Sequence, residues 1–187
     1  MAGWWILLGL VALAGGTALV AIGLYNRLVG LRNSAESAWS DVDVQLKRRW
    51  DLVPNLVETV KGYASHEQST FAKVTEMRAQ AMAQTDPAAK ADAENGLGRA
   101  LRGLFAVAEA YPELKASRNF GELQADLGKV EEAIQNARRY YNAIVRDLNT
   151  ACQTFPSNLV ANGFGFAKRD YFELDAEAER SAPAVAF

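Results

Sequence analysis

His66 and Cys152 are the single histidine and the single cysteine of the chain, so nucleophilic, general-base or soft-metal chemistry would have to be built around them. His66 sits beside Glu67, but a zinc-binding helix needs a second histidine four residues away, and none is present. It reads as a surface histidine in a polar stretch. Cys152 has no second histidine to draw off its proton and reads as a small core residue. With one cysteine there is no intramolecular disulfide, which fits the cytoplasm without proving it. Asp41 and Asp43 are two residues apart, so on a helix they point to different faces and make a poor acid–base pair. The glycines form no G-x-G-x-x-G loop behind a strand. The cationic run Lys47-Arg48-Arg49 reads as a solvated, lipid or partner contact, each charge contributing about 1 kcal/mol if it lies close to an anionic leaflet. A net charge of −2 gives no basic excess for nucleic acid. These residues provide no expected catalytic, cofactor or metal site, and enzymatic activity is disfavoured.

The elements that would carry these residues begin with Trp4 to Leu24, WWILLGLVALAGGTALVAIGL. This run holds no charge over about 21 residues, roughly 32 Å of helix, close to the hydrocarbon thickness of a bilayer. Trp4 and Trp5 at one end and Tyr25 at the other sit where amphipathic rings prefer the headgroup level. The first charge is Arg27, followed by Arg32, an asymmetry that favours the N-terminus outside and the remaining chain in the cytoplasm, with the opposite orientation as the minor alternative. Ala12-Leu13-Ala14 has the small-x-small form of a signal cleavage site. The missing basic n-region and the continuing apolar run argue for a retained anchor. Gly9, Gly16, Gly23 and Gly30 recur at every seventh position, a stripe along which another helix could approach closely in lipid.

Beyond the anchor the pattern predicts an all-α protein, since alternating β-branched runs bounded by hairpin turns are absent. Leu28, Leu31, Ala35, Ala38, Val42 and Leu46 follow three–four spacing without a breaker after Tyr25. Asp43 and Lys47 stand as an i,i+4 pair. Pro54 either kinks this helix or opens a new one capped by Asp51. A helix of about 30 residues is expected after it, through Leu56, Val60, Phe71, Val74 and Ala81, with an unusually polar middle from Tyr63 to Thr70. Asp86 before Pro87 reads as the cap of the next helix. The stripe of that helix runs Ala93, Leu97, Ala100, Leu104, Val107 and Tyr111, and its Gly96, Gly98 and Gly103 are expected to face a close neighbour. The last helix shows the cleanest signal: Phe120, Leu123, Leu127, Val130, Ile134, Ala137, Tyr141, Ile144, Leu148, Ala151 and Phe155 make a heptad seam. Its start could be capped by Ser117 or Asn119. Together these predict an elongated antiparallel bundle of long helices.

The expected organisation is an anchor over 1–25, a bundle over 26–156, an aromatic segment over 157–175 and a mobile tail over 176–187. Phe164, Phe166, Tyr171 and Phe172 are costly to leave in water, so the aromatic segment either folds back on the bundle or contacts another chain. A short echo, Y-N-x-[LI]-V-x-x-x-N, joins Tyr25–Asn33 to Tyr141–Asn149 and hints at similar helical surroundings.

The run AWSDVDVQLKRRWDLVPNLVETVKGYASHE from Ala38 to Glu67 resembles the LemA family, as do YNRLVGLRN, YNAIVRDLN, FPSNLVA and FGFAKRDYFE. The resemblance covers Tyr25 to Glu173. It implies a bacterial inner-membrane protein with one N-terminal span, an outward N-terminus and a cytoplasmic helical bundle, without cofactor or catalytic residues. It also implies a link, through a magnetosome branch, to membrane invagination, and a neighbourhood of membrane proteases and envelope proteins. Two roles follow. One is a self-associating scaffold that organises or remodels the membrane as a homo-oligomer in contact with lipid. The other is an adaptor that presents its bundle or C-terminal segment to a membrane protease or other envelope protein.

Overall fold

The computed structural model describes residues 2–174, all helix, turn or irregular chain with no strand among them. The fold is an all-α bundle. Six helices follow in order: α1 (Ala2–Lys61), α2 (Gln68–Ala83), α3 (Pro87–Glu109), α4 (Pro112–Lys115), α5 (Arg118–Gln153) and α6 (Ser157–Phe164). The expected tail over 176–187 lies outside the described residues, as does Asp175.

The chain divides into two compact units. The first takes residues up to Ser40 together with Tyr140–Asp170. Its core joins Leu28 and Ala35 of α1, Leu148 and Ala151 of α5, and Ala161 of α6, with Leu31, Ile144, Val160 and Phe166 packed around them. These positions are the three–four stripe of α1 facing the heptad seam of α5, so apolar periodicity alone accounts for their meeting. Beyond α6, Gly165 adopts a left-handed φ of 72° that ends the helix. A side chain would be strained in that conformation. The irregular stretch that follows is held by α5: Asn149 Nδ2 donates to the Arg169 carbonyl and Arg169 N–H donates to Asn149 Oδ1, both at 2.9 Å. The Tyr141 hydroxyl donates to the Asp170 carbonyl at 3.0 Å. Asn149 is buried whereas Asn33, its counterpart in the sequence echo, is exposed, so the two segments do not share surroundings.

The second unit contains the remainder of α1 and α5 with α2, α3 and α4. Val42, Leu46, Val53, Leu56 and Val60 of α1 are buried in it, as are Leu97, Leu101 and Leu104 of α3 and Leu127 and Ile134 of α5. Asp86 caps α3, its Oδ1 accepting from Ala88 and Ala89 N–H at 3.0 Å each, with Pro87 in the first turn. Of the three α3 glycines, a Cβ on Gly96 would come within 3.2 Å of Met77 Sδ and one on Gly98 within 3.4 Å of Arg49 Nη2, while Gly103 faces open space. The close-neighbour expectation therefore holds for two of them.

Three expectations change. The helix of about 30 residues after Pro54 is two helices, because α1 stops at Lys61 and the polar stretch from Gly62 to Glu67 turns before α2. Ala64 is the one buried residue between Val60 and Phe71, too little apolar surface to hold a straight helix on a core. The heptad seam ends at Ala151: Phe155 is 79% exposed, since α5 finishes at Gln153 before reaching it. Asp43 pairs with Lys90 across to α3 at 2.7 Å, not with Lys47 on its own helix.

Pro54 does not start a new helix; it lies inside α1. Proline brings no N–H, so the carbonyl four residues earlier, that of Trp50, loses its helical partner. Arg78 of α2 replaces it, Nε donating to the Trp50 carbonyl at 2.7 Å. A cation thus closes the gap that proline opens. Arg78→Met is expected to cost about 1–3 kcal/mol, the penalty for a buried acceptor left unsatisfied. In a Pro54→Ala background, where the helix supplies its own N–H, the same change should cost much less. Urea unfolding of the four full-length variants in detergent checks this coupling; equal costs in both backgrounds would refute it.

Candidate functional site

The first half of α1 has the composition of a lipid-facing surface. Its apolar window is wholly exposed and long enough to cross a membrane. Trp4 and Trp5 are 71% and 75% exposed. Each large apolar side chain kept from water is worth about 1.5–3 kcal/mol, so this surface is stable only against lipid or protein. Gly9, Gly16, Gly23 and Gly30 are exposed, and a Cβ on any of them would meet nothing within 4 Å. At the end of the run, the Tyr25 ring lies 4.9 Å from that of Phe164 and 5.7 Å from that of Phe166. The Arg32 guanidinium stands 5.4 Å over Phe166, a cation–π contact. Sequence periodicity does not reveal this aromatic collar, because the chain must reverse at Gly165 before Phe166 can reach α1.

The aromatic segment divides. Phe164 remains 67% exposed, Phe166 is half-buried and Tyr171 is exposed, whereas Phe172 is fully buried. Phe172 therefore folds back into the core of its own unit and offers no surface to another chain. Arg138 Nη1 holds the irregular chain that follows by donating to the Leu174 carbonyl at 2.9 Å.

The cationic run divides as well. Lys47 and Arg48 are exposed, Arg48 donating to Gln45 on its own helix. Arg49 is buried and offers no lipid or partner contact, because α3 meets it with a carboxylate. Glu94 is 1% exposed, and its Oε2 accepts from Arg49 Nη1 at 3.1 Å while Oε1 accepts from the Trp50 indole N–H at 2.7 Å. Arg49 Nε stands 2.9 Å from Glu131 Oε1 of α5, near enough to pair charges though not aligned as a hydrogen bond. Lys90 Nζ bonds Asp43 and lies 5.5 Å over the Trp50 ring. Lys90 and Glu94 lie on the buried face of α3 with Leu97, Leu101, Leu104 and Ala108, whereas Ala93, Ala100, Val107 and Tyr111 of the expected stripe are only half-buried, so the sequence pattern does not single the two charges out.

This cluster contains Glu94, Glu131, Arg49 and Lys90, but its groups are spent on one another. Burial pushes the Glu94 carboxyl above its usual range, opposed by Arg49 and the Trp50 hydrogen bond. Burial also raises the Cys152 thiol above its usual range, opposed by the charge of Lys168. His66 is exposed in the turn between α1 and α2. A groove of about 680 Å³ between α2 and α3 is lined by Lys73, Arg99, Ser69, Met77 and the glycines 96 and 103. It has no carboxylate or imidazole for proton transfer. No group of three metal-ligating side chains occurs among the described residues.

Comparison with known proteins places this geometry in context. The family model described as the LemA family matches residues 38–187. Magnetosome proteins MamQ 1 and MamQ 2 of Paramagnetospirillum magneticum (strain ATCC 700264 / AMB-1) are each 25% identical over 175 residues, covering 80% of this chain and 64% of theirs. Protein LemA of Metamycoplasma hominis is 28% identical over 146 residues, covering 76% of this chain and 65% of its own. The chain thus spans somewhat under two thirds of the length of these curated relatives.

Glu94→Ala removes the acceptor shared by Arg49 and Trp50 and is expected to cost about 3–5 kcal/mol, the usual price of a broken buried pair. The pH dependence has a definite sign. With the folded pKa raised above the ordinary carboxyl value of 4.5, the folded state holds its proton longer. Its contribution to stability is fullest below 4.5 and declines as pH rises through the folded pKa. Thermal unfolding across this window should show the decline in the native protein and lack it in Glu94→Gln.

Proposed function

As the chain belongs to the LemA family, we propose that it is a non-enzymatic, membrane-anchored scaffold that self-associates and organises or remodels the bacterial inner membrane. In this reading Trp4–Leu24 spans the bilayer once, with the N-terminus outside and the helical domain in the cytoplasm. The observation that carries it is the charge-free stretch of α1, none of it buried, continuous with the helix that contributes to both compact units. The exposed small-residue stripe at Gly9, Gly16 and Gly23 supports self-association, since backbone approach drives helix pairing in lipid. The MamQ relatives, named as magnetosome proteins, support a membrane-associated role.

Sedimentation of the full-length protein in detergent, over a range of concentrations, tests the scaffold. An oligomer is expected, and Gly16→Leu with Gly23→Leu should shift it towards monomer. A monomer at every concentration would sink self-association. A distinct stoichiometric partner recovered from membranes, such as a membrane protease or envelope protein, would transfer the reading to an adaptor.

A further inference from the structure

The short helix α6 poses a separate problem. It runs only from Ser157 to Phe164, too short to cross a membrane, and it buries Ser157 and Ala161. Yet Leu159 is 62% exposed, Phe164 67%, and Phe155, just before the helix, 79%. Side chains of this size, three within ten residues, are seldom all left in water without a partner.

Their place in the fold identifies that partner. Ala161 shares a core cluster with Leu28, and the Phe164 ring packs at a tilt against that of Tyr25. Tyr25 and Leu28 are within about four residues, or roughly 6 Å of helix rise, of Leu24, where the charge-free run ends. Hence α6 lies at the level where α1 would leave the hydrocarbon. Arg27, Arg32 and Lys168 are exposed in the same unit, cations suited to anionic headgroups at that depth. An apolar surface flanked by cations and aromatic rings, beside a spanning segment, is the composition of an interfacial helix.

We propose that α6, with Phe155 before it, lies in the headgroup–acyl boundary of the bilayer that Trp4–Leu24 crosses, presenting Phe155, Leu159 and Phe164 to lipid. The inference rests on the reading of Trp4–Leu24 as a span, and it adds a second membrane contact some 130 residues further along the chain, as read from the numbering of Tyr25 and Phe155. The apolar segment anchors the chain. The collar of Tyr25, Phe164 and Phe166 joins that anchor to α6, so the depth of one fixes the depth of the other.

The test uses the full-length protein in vesicles of mixed zwitterionic and anionic phospholipid. In a Cys152→Ala background, an environment-sensitive fluorophore is attached through Leu159→Cys, Leu13→Cys or Val44→Cys, one site at a time. Quenchers are carried near the headgroup, deep in the acyl chain, or in water as iodide. The label at position 159 is expected to lose fluorescence to the shallow lipid quencher and to resist iodide. The label at 13 should respond to the deep quencher, and that at 44 to iodide alone. A label at 159 quenched by iodide as readily as that at 44, while the label at 13 still responds to lipid, overturns the interfacial helix and leaves the anchor standing. Shielding of position 159 from both lipid and iodide overturns it too, by assigning the surface to a second protein chain. If the label at 13 also ignores the lipid quenchers, the span and the interfacial helix fall together.

Discussion

Glu94 is the constraint on which the second unit depends. A carboxylate that is 1% exposed survives only with donors on both oxygens, and adjacent residues of α1 supply them, Arg49 and Trp50. Trp50 is committed three ways: its indole to Glu94, its ring to Lys90, and its carbonyl to Arg78. A single turn of α1 thereby takes polar partners from α2 and α3, with Glu131 of α5 beside Arg49. Hydrophobic burial drives these helices together without choosing among nearby registers; directional bonds to one carboxylate do choose.

The first unit meets a different demand. It has an exposed apolar surface at Trp4–Leu24, and that surface ends in the rings of Tyr25, Phe164 and Phe166. Its polar contacts serve the chain after α6. Asn149 makes paired hydrogen bonds with the backbone of Arg169, and Arg169 in turn reaches Glu36 at 2.8 Å. An irregular segment needs such partners, since it forms no ladder of its own. Residues able to do chemistry are accordingly consumed by structure: Glu94 by Arg49, and Asp43 by Lys90.

Much of this was legible in the sequence by itself. Charge-free length marks the exposed apolar stretch of α1, three–four spacing marks the inward faces of α1 and α5, and Asp86 before Pro87 marks a helix start. Each signal is local, because it depends on rise, periodicity or a cap within a few residues. Tertiary structure decided the rest. That α1 continues through Pro54 depends on an arginine 24 positions later, by the numbering of Pro54 and Arg78. Whether Arg49 faces water or a carboxylate depends on Glu94 of another helix, and whether Phe172 or Phe164 is buried depends on the reversal at Gly165. These outcomes are set by groups distant in the chain, and hydrogen-bond geometry and burial, which select among them, exist only once the helices have packed.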